Sequence, residues 1–210
     1  MDDKNVPFQD RESAAILLAE KIKKQITPSV LVLAIPRGGA VTGKIIAEIL
    51  KAEFDLLICK KVGHPANPEY AIGSVCADGS SVQTDKGSRQ LADYFDKESV
   101  KLASRLKERY SQLTNRSEPI PVQDRDVLLC DDGVATGSTI LAAVKSLQKS
   151  KAGRIYIATP VISQLALNKL KKTCDQVFYL DAPHPFGAVG EFYVSFPTIN
   201  DDDVRRMMKK

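Results

Sequence analysis

The sequence predicts an α/β protein with a parallel, doubly wound, five-stranded sheet and a small cap, here called the hood. Two observations lead to this fold class. Short apolar runs, such as residues 30–35, alternate with longer segments of helical periodicity. These runs are apolar at every position, which is typical of strands buried on both faces of a parallel sheet. Ligands of such sheets bind beyond the carboxyl ends of the strands.

The elements follow one another in a regular order. Apolar residues at Ala15, Leu18, Ala19 and Ile22 predict a first helix over residues 10–25. The five strands are predicted at residues 30–35, 54–59, 127–130, 155–158 and 177–180. Further helices are predicted after residues 36–39 as far as 51, over 86–114, 138–149 and 163–172, and from 200.

The whole chain, residues 1–210, is predicted to form a single domain. Its core covers residues 28–181, and the hood combines residues 1–27 with the aromatic segment and tail at 182–210. Residues 60–82 are rich in glycine, proline and polar residues and predict a long flexible loop or a loose hairpin. Such excursions are often functional.

Composition excludes several classes of protein. The 30 basic and 26 acidic residues give a net charge of +4 without a basic stripe, and there is no tryptophan, which argues against nucleic-acid binding. No apolar window reaches the length of a membrane span, and the first residues do not resemble a secretory leader. The four cysteines lack a paired spacing and predict reduced, buried thiols. These features predict a cytoplasmic protein.

Residues 127–139, VLLCDDGVATGST, carry the most informative motif. The strand delivers the carboxylates of Asp131 and Asp132 to the sheet edge, where they can accept hydrogen bonds from vicinal ribose hydroxyls. Residues 136–139 then open a helix, so backbone N–H groups, hydroxyls and the positive end of the helix dipole converge on a phosphate site. A plain β–α turn with solvated aspartates is the alternative.

This run resembles the phosphoribosyl diphosphate (PRPP) signature of type I phosphoribosyltransferases. The Pro36-Arg37-Gly38-Gly39 turn, the long loop after the second strand and the aromatic end are also similar to that family. The resemblance implies a PRPP-dependent pentosyltransferase, a glycosyltransferase of nucleotide and nucleoside metabolism. It would transfer 5-phosphoribosyl to a nitrogen acceptor such as a nucleobase and release diphosphate.

The resemblance also implies roles for particular residues. Asp131 and Asp132 would hold the ribose hydroxyls and, through water, a Mg²⁺ ion that accompanies PRPP. The turn at 36–39 would hold the diphosphate, and the family often has a non-proline cis peptide there. The implied PRPP-binding residues are Arg37, Gly38, Gly39, Lys60, Lys61, Asp131, Asp132, Gly133, Val134, Ala135, Thr136, Gly137, Ser138 and Thr139.

Other roles involve the long loop and the hood. Lys60 and Lys61 would add positive charge near the leaving diphosphate, and Glu69 is a candidate acid or base. The candidate catalytic residues are thus Arg37, Lys61, Glu69, Asp131 and Asp132. Phe186, Phe192 and Tyr193 are the candidate acceptor-binding rings, and packing of the hood is their alternative role.

Some features leave alternatives open. Ala135 stands where 6-oxopurine members carry an acid, so the acceptor base is undetermined. A PRPP-sensing regulator of the same fold is one alternative. Residues 38–44 also match all but the last position of a P-loop, but Ile45 replaces the required hydroxyl residue, which disfavours an NTPase. Members of this fold are commonly dimers, so a homodimer is expected.

Overall fold

The structure, a computed structural model, describes residues 7–85 and 87–209. The strands are β1 (Leu31–Ala34), β2 (Glu53–Leu56), β3 (Cys59–His64), β4 (Asn67–Cys76), β5 (Ser81–Gln83), β6 (Val127–Cys130), β7 (Ile155–Val161) and β8 (Gln176–Asp181). The helices are α1 (Arg11–Ile22), α2 (Gly38–Leu50), α3 (Arg89–Thr114), α4 (Ser138–Lys149), α5 (Gln164–Leu170) and α6 (Asp201–Met208), with a 3-10 turn at Val189–Phe192.

The central sheet has five parallel strands in the order β2-β1-β6-β7-β8. Successive residues of β6 point to opposite faces, so Leu129 packs towards α4 and α5 while Leu128 packs towards α1 and α2. Both faces are therefore covered by helices, and the predicted fold class is confirmed. The predicted start of the third helix, residue 86, and the hood residues 1–6 and 210 lie outside the described residues.

Residues 59–83 form a second, antiparallel sheet in the order β3-β4-β5. The loop alternative for this segment is therefore wrong, and the hairpin alternative is nearer the structure. Val62, Ile72 and Val75 are buried against the apolar side of α3. The glycines that suggested a loop are needed for close strand contacts: a Cβ on Gly63 would lie 2.4 Å from the Pro68 carbonyl oxygen.

The hairpin is attached to the main domain by its base. The Ser80 and Ser146 hydroxyls are 2.7 Å apart, and the Ser74 hydroxyl donates to the Ala142 carbonyl over 3.4 Å. On the other side α3, with 26 residues, is the longest described helix. The hairpin is thus held between α3 and α4 beside the carboxyl edge of the sheet.

Among residues 7–85 and 87–209, no helix is apolar over enough length to cross a membrane.

A buried polar network joins β2 to α3. The Tyr110 hydroxyl donates to the Asp55 carboxylate over 2.8 Å, and the Ile120 backbone N–H donates to the same carboxylate over 2.9 Å. Burial and the charge of Asp55 raise the pKa of Tyr110 far above its usual range. The tyrosine therefore remains a neutral donor, and the network fixes α3 against the sheet.

The structure corrects the prediction that the four cysteines are reduced. Cys59 and Cys76 form a disulfide, because the antiparallel pairing of β3 with β4 places them directly opposite each other. Their separation of 17 residues gave no sign of this pairing. Cys130 is free and buried, and burial raises the pKa of the free Cys174 thiol to about 11. The cysteines no longer support a cytoplasmic location, which stays a prediction.

We expect loss of this disulfide to weaken the fold. Closing a loop of this size stabilises a protein by about 3 kcal/mol, chiefly by restricting the unfolded chain. Cys59→Ser should therefore lower the melting temperature measured without reductant, and added reductant should lower that of the wild type but not of the variant. Cys174→Ser is the matched control and should respond to reductant as the wild type does. A wild-type melting curve unaffected by reductant would contradict the assignment.

Candidate functional site

Two loops meet at the carboxyl edge of the central sheet. The turn after β1 carries Gly38 and Gly39, and the loop after β6 begins with Asp131 and Asp132. A Cβ on Gly38 would lie 1.9 Å from Asp132 Oδ2, and one on Gly39 would lie 3.0 Å from Asp131 Oδ1. The two glycines therefore permit direct contact between the predicted diphosphate turn and the predicted ribose carboxylates.

The loop from β6 to α4 is fixed by its neighbours. Val134 N–H donates to the Val161 carbonyl over 2.9 Å, and Ser163 N–H donates to the Val134 carbonyl over 2.9 Å. Gly137 has a φ of 74°, a left-handed conformation that favours glycine. The Thr136 and Ser138 hydroxyls lie 3.2 Å apart just before and at the start of α4. The segment 133–139 therefore has the compact turn that the sequence predicts.

The helices that begin at these two loops lack a side-chain cap. Arg37 and Gly137, the N-cap residues of α2 and α4, make no side-chain cap hydrogen bond. The other described α-helices are each capped by a side chain, from Asp10, Ser88, Ser163 and Asn200. The first N–H groups of a helix need acceptors. The Ser138 N–H of α4 does donate to the Thr136 hydroxyl over 3.4 Å. The two predicted phosphate positions are thus the two described α-helix starts where the N-cap residue itself supplies no acceptor.

The acidic pair is partly buried and shares one cation. Arg11 Nε donates to Asp132 Oδ2 over 2.6 Å, and the two side chains are 8% and 14% exposed. Asp131 Oδ1 accepts the Asp132 backbone N–H over 2.9 Å. Burial, and then the charge of Asp132, raise the pKa of Asp131 well above its usual range. The folded state therefore disfavours the charged form of Asp131.

Sequence reasoning missed Arg11. Its partner is 121 residues away, so no local motif joins them. One signal was present in the sequence. Arg11 follows the N-cap Asp10 in the first turn of α1, and a positive charge there is unfavourable because this end of the helix dipole is itself positive. A cation in that position indicates a partner from outside the helix.

Arg37 belongs to the diphosphate turn by sequence. The Pro36–Arg37 peptide is cis, as the family resemblance implies. The Arg37 guanidinium is about half exposed and lies 3.9 Å from the Asp201 carboxylate at the start of α6. The structure thus places this cation between the turn and the C-terminal helix.

Lys60 and Lys61 lie on β3, next to the start of α4. Together with Ser138, Thr139 and Lys145 they line a cavity of about 520 Å³ between the hairpin and α4. The structure therefore brings the predicted lysines and the end of the predicted phosphate loop to one cavity. Lys145 is a further cation there that the sequence analysis did not select.

Glu69 lies on β4 and pairs with Lys61. Lys61 Nζ is 2.9 Å from Glu69 Oε2, and the Glu69 side chain is 90% exposed. The hydrogen bond from Lys61 and its charge lower the pKa of Glu69. Glu69 is therefore a carboxylate at neutral pH, with a weakened capacity as a base.

The predicted acceptor rings belong to the hood, where they pack on one another. The Phe186 and Phe192 ring centroids are 4.7 Å apart, and both rings are partly buried. Tyr193 is 6% exposed, and its hydroxyl donates to the Asp132 carbonyl over 2.6 Å. The structure thus gives Tyr193 a contact with the acidic loop and leaves part of the two phenylalanine rings accessible.

The P-loop alternative lacks a phosphate-binding lysine. Lys44 Nζ lies 3.2 Å from the Glu48 carboxylate and 6.0 Å from the centre of the Phe54 ring. Glu48 lies in the last turn of α2, and Phe54 lies on β2, the strand that follows. The lysine is therefore directed to an ion pair along the helix.

Fold and site together define an α/β protein with two helix starts, at α2 and α4, that lack a cap from the N-cap side chain and lie beside an acidic pair. The chain matches the family model of the phosphoribosyl transferase domain over residues 9–191, and it belongs to that family. It is 32% identical over 200 residues to a Mycobacterium tuberculosis (strain H37Rv) protein whose name assigns it provisionally to the phosphoribosyl transferases. That match covers 94% of this chain but 45% of the relative, so the chain spans about half the relative's length.

Solved structures show the same architecture. The crystal structure of protein TT1426 from Thermus thermophilus has a TM-score of 0.87 and 34% sequence identity, over 96% of this chain and 97% of that one. Protein AQ2163 from Aquifex aeolicus has a TM-score of 0.52 and 11% identity, over 86% of this chain and 78% of that one. The second likeness concerns the fold alone.

Proposed function

We propose that this chain is a phosphoribosyltransferase that moves the 5-phosphoribosyl group of PRPP to a nitrogen acceptor and releases diphosphate. The observation that supports the proposal is the pair of helix starts whose N-cap residues, Arg37 and Gly137, give no side-chain cap, beside Asp131 and Asp132. PRPP has two phosphorylated ends with a ribose between them. The uncapped helix N–H groups suit its anionic ends, and the carboxylates suit its hydroxyls.

In this reaction the C1–O bond to diphosphate breaks and a C1–N bond forms, with inversion at C1. The bonding pair leaves with the diphosphate, and the acceptor nitrogen gives up its proton to water as it bonds. Residues 37–39 would hold the leaving group at the start of α2. Lys60 and Lys61 line the cavity at the start of α4, so their positive charge would act near the 5-phosphate. Asp131 and Asp132 would orient the ribose, so that most of the catalysis is positioning.

The donor set suits a magnesium ion that arrives with its substrate. Among residues 7–85 and 87–209 no group of three or more acidic, histidine or cysteine side chains could hold a metal. Mg²⁺ usually binds through one or two carboxylates together with substrate oxygens and waters, and Asp131 and Asp132 offer that number. The bound ion would neutralise charge on the diphosphate. The two carboxylates would hold it through water.

A nucleobase is the acceptor class we favour, which would place the enzyme in nucleotide metabolism. Phe186 and Phe192 are partly exposed rings in the hood, and an aromatic face can stack on a base.

A PRPP-sensing regulator, which binds PRPP without catalysis, is the second candidate function. Glu69, the candidate acid or base on the hairpin, is exposed and paired with Lys61, which weakens its capacity as a base.

The experiment that tests the proposal is magnesium-dependent release of diphosphate from PRPP. Purine and pyrimidine bases are supplied one at a time, and a reaction without base measures hydrolysis. We expect release with one base or a small group of bases, well above the hydrolysis control. Calorimetric binding of PRPP without release would favour the regulator. Absence of both release and binding would overturn the proposal.

A further inference from the structure

Arg11 joins three separate segments of the chain. Its Nε donates to Asp132 Oδ2 over 2.6 Å, and its Nη1 donates to the Pro197 carbonyl over 2.7 Å. The guanidinium carbon lies 3.5 Å from the centre of the Phe196 ring. The residue is 7% exposed. The arginine is therefore held between the acidic loop and the C-terminal part of the hood.

The contact with Asp132 is one-sided. Oδ2 accepts from Arg11, and the Asp131 carboxyl lies within hydrogen-bonding reach of the same carboxylate. A carboxylate can accept hydrogen bonds at both oxygens. Arg11 thus fixes the side chain through one oxygen and leaves the other with acceptor capacity.

We propose that Arg11 is a positioning residue for the ribose. It holds the Asp132 carboxylate in one orientation, so that Oδ1 can accept a hydrogen bond from a ribose hydroxyl. Through Phe196 and Pro197 it makes the C-terminal hood part of the ribose site. This inference rests on the proposed function and adds a residue to that site.

The chemistry of arginine suits this role better than that of lysine. A guanidinium is planar, so it can lie on the Phe196 ring while two of its N–H groups reach different acceptors. A lysine ammonium at this position would keep the charge and lose the planar contact. Removing the cation would leave Asp132 buried beside Asp131 without compensation.

Calorimetry with three ligands separates positioning from a general structural effect. PRPP and ribose 5-phosphate are titrated with magnesium, and inorganic diphosphate without it, into the wild type and Arg11→Gln. We expect PRPP and ribose 5-phosphate to bind about 10- to 100-fold more weakly to the variant, the usual effect of losing a hydrogen bond to a charged group. Diphosphate should bind equally to both, because without magnesium its contacts are with residues 37–39 at the start of α2. Equal affinity for all three ligands, or weakening of all three, would overturn the proposal.

Two further variants complete the test. Arg154→Gln removes an arginine–aspartate pair at the other end of β6, where Arg154 Nη2 lies 2.7 Å from the Asp126 carboxylate, and should leave all three affinities unchanged. Should Arg11→Gln fail to fold, Arg11→Lys takes its place, and the same selective loss is expected with a smaller factor. A wild type that binds no PRPP would overturn the proposed function itself, whereas wild-type binding with no selective loss would overturn only the role of Arg11.

Discussion

Replacing both carboxylates of the acidic pair, as Asp131→Asn with Asp132→Asn, should abolish measurable binding of PRPP. Each hydrogen bond to a charged acceptor contributes about 1.5–3 kcal/mol, so losing two weakens binding by about 10²- to 10⁴-fold. Calorimetry with magnesium and PRPP measures the loss. Retained affinity would rule out the assignment of the ribose to these two residues.

The two single variants should have opposite effects on stability. The pKa of Asp131 is raised from its usual value of 3.8 by burial and by Asp132, so the folded state disfavours the charged form. At neutral pH ionised Asp131 therefore costs stability, and Asp131→Asn should melt at or above the wild-type temperature. This difference should disappear as pH falls through the raised pKa towards 3.8, because both proteins are then neutral at this position.

Asp132→Asn removes the counter-charge of buried Arg11 and should destabilise the fold by about 3–5 kcal/mol. Asp126→Asn is a matched control, because it breaks the more exposed pair with Arg154 and should cost about 1 kcal/mol or less. Thermal melts of the three single variants measure both effects. A lower melting temperature for Asp131→Asn than for Asp132→Asn would contradict the charge arrangement described here.

Gly38→Ala should produce the second large effect. The added Cβ would lie 1.9 Å from Asp132 Oδ2, so either the start of α2 or the Asp132 side chain must move. Overpacking of this kind costs about 1–3 kcal/mol, and we expect PRPP affinity to fall by about 10- to 100-fold. Calorimetric titration with PRPP and magnesium provides the measurement.

Gly87→Ala is the control for adding a methyl group in a loop away from the site. Its Cβ would meet the end of the Leu91 side chain at 3.0 Å, a contact that a side-chain movement can relieve. We expect unchanged PRPP affinity in this variant. Wild-type affinity in Gly38→Ala would show that the close approach of the two loops is not required for binding.

The sheet and the loop from β6 to α4 were predictable because their signals are local. The apolar run at 127–130 identifies a buried strand, and Gly137 with the following hydroxyl residues identifies a helix start. The turn at residues 36–39 predicted a helix after residue 39, and α2 begins at Gly38, within that turn. Each of these features depends on residues that are close in sequence.

The rest depends on contacts between distant residues. Arg11 meets Asp132 across 121 residues, and Cys59 meets Cys76 only because two strands pair. The hairpin was obscured for a different reason: its glycines serve close strand contacts, as at Gly63, but in sequence they look like loop residues. Propensity alone does not distinguish these two uses of glycine.

Segments from the two ends of the chain meet in the hood, as Phe8 does with Phe192 and Val194. The region matched by the family model therefore does not include every residue that supports the site. The match to the family ends at residue 191, whereas Phe196 and Pro197, which hold Arg11, come later. A chain shortened to residues 9–191 would still be recognised as a family member. It would lack the support of the arginine that holds Asp132. Less of the chain is needed to identify the family than to assemble the site.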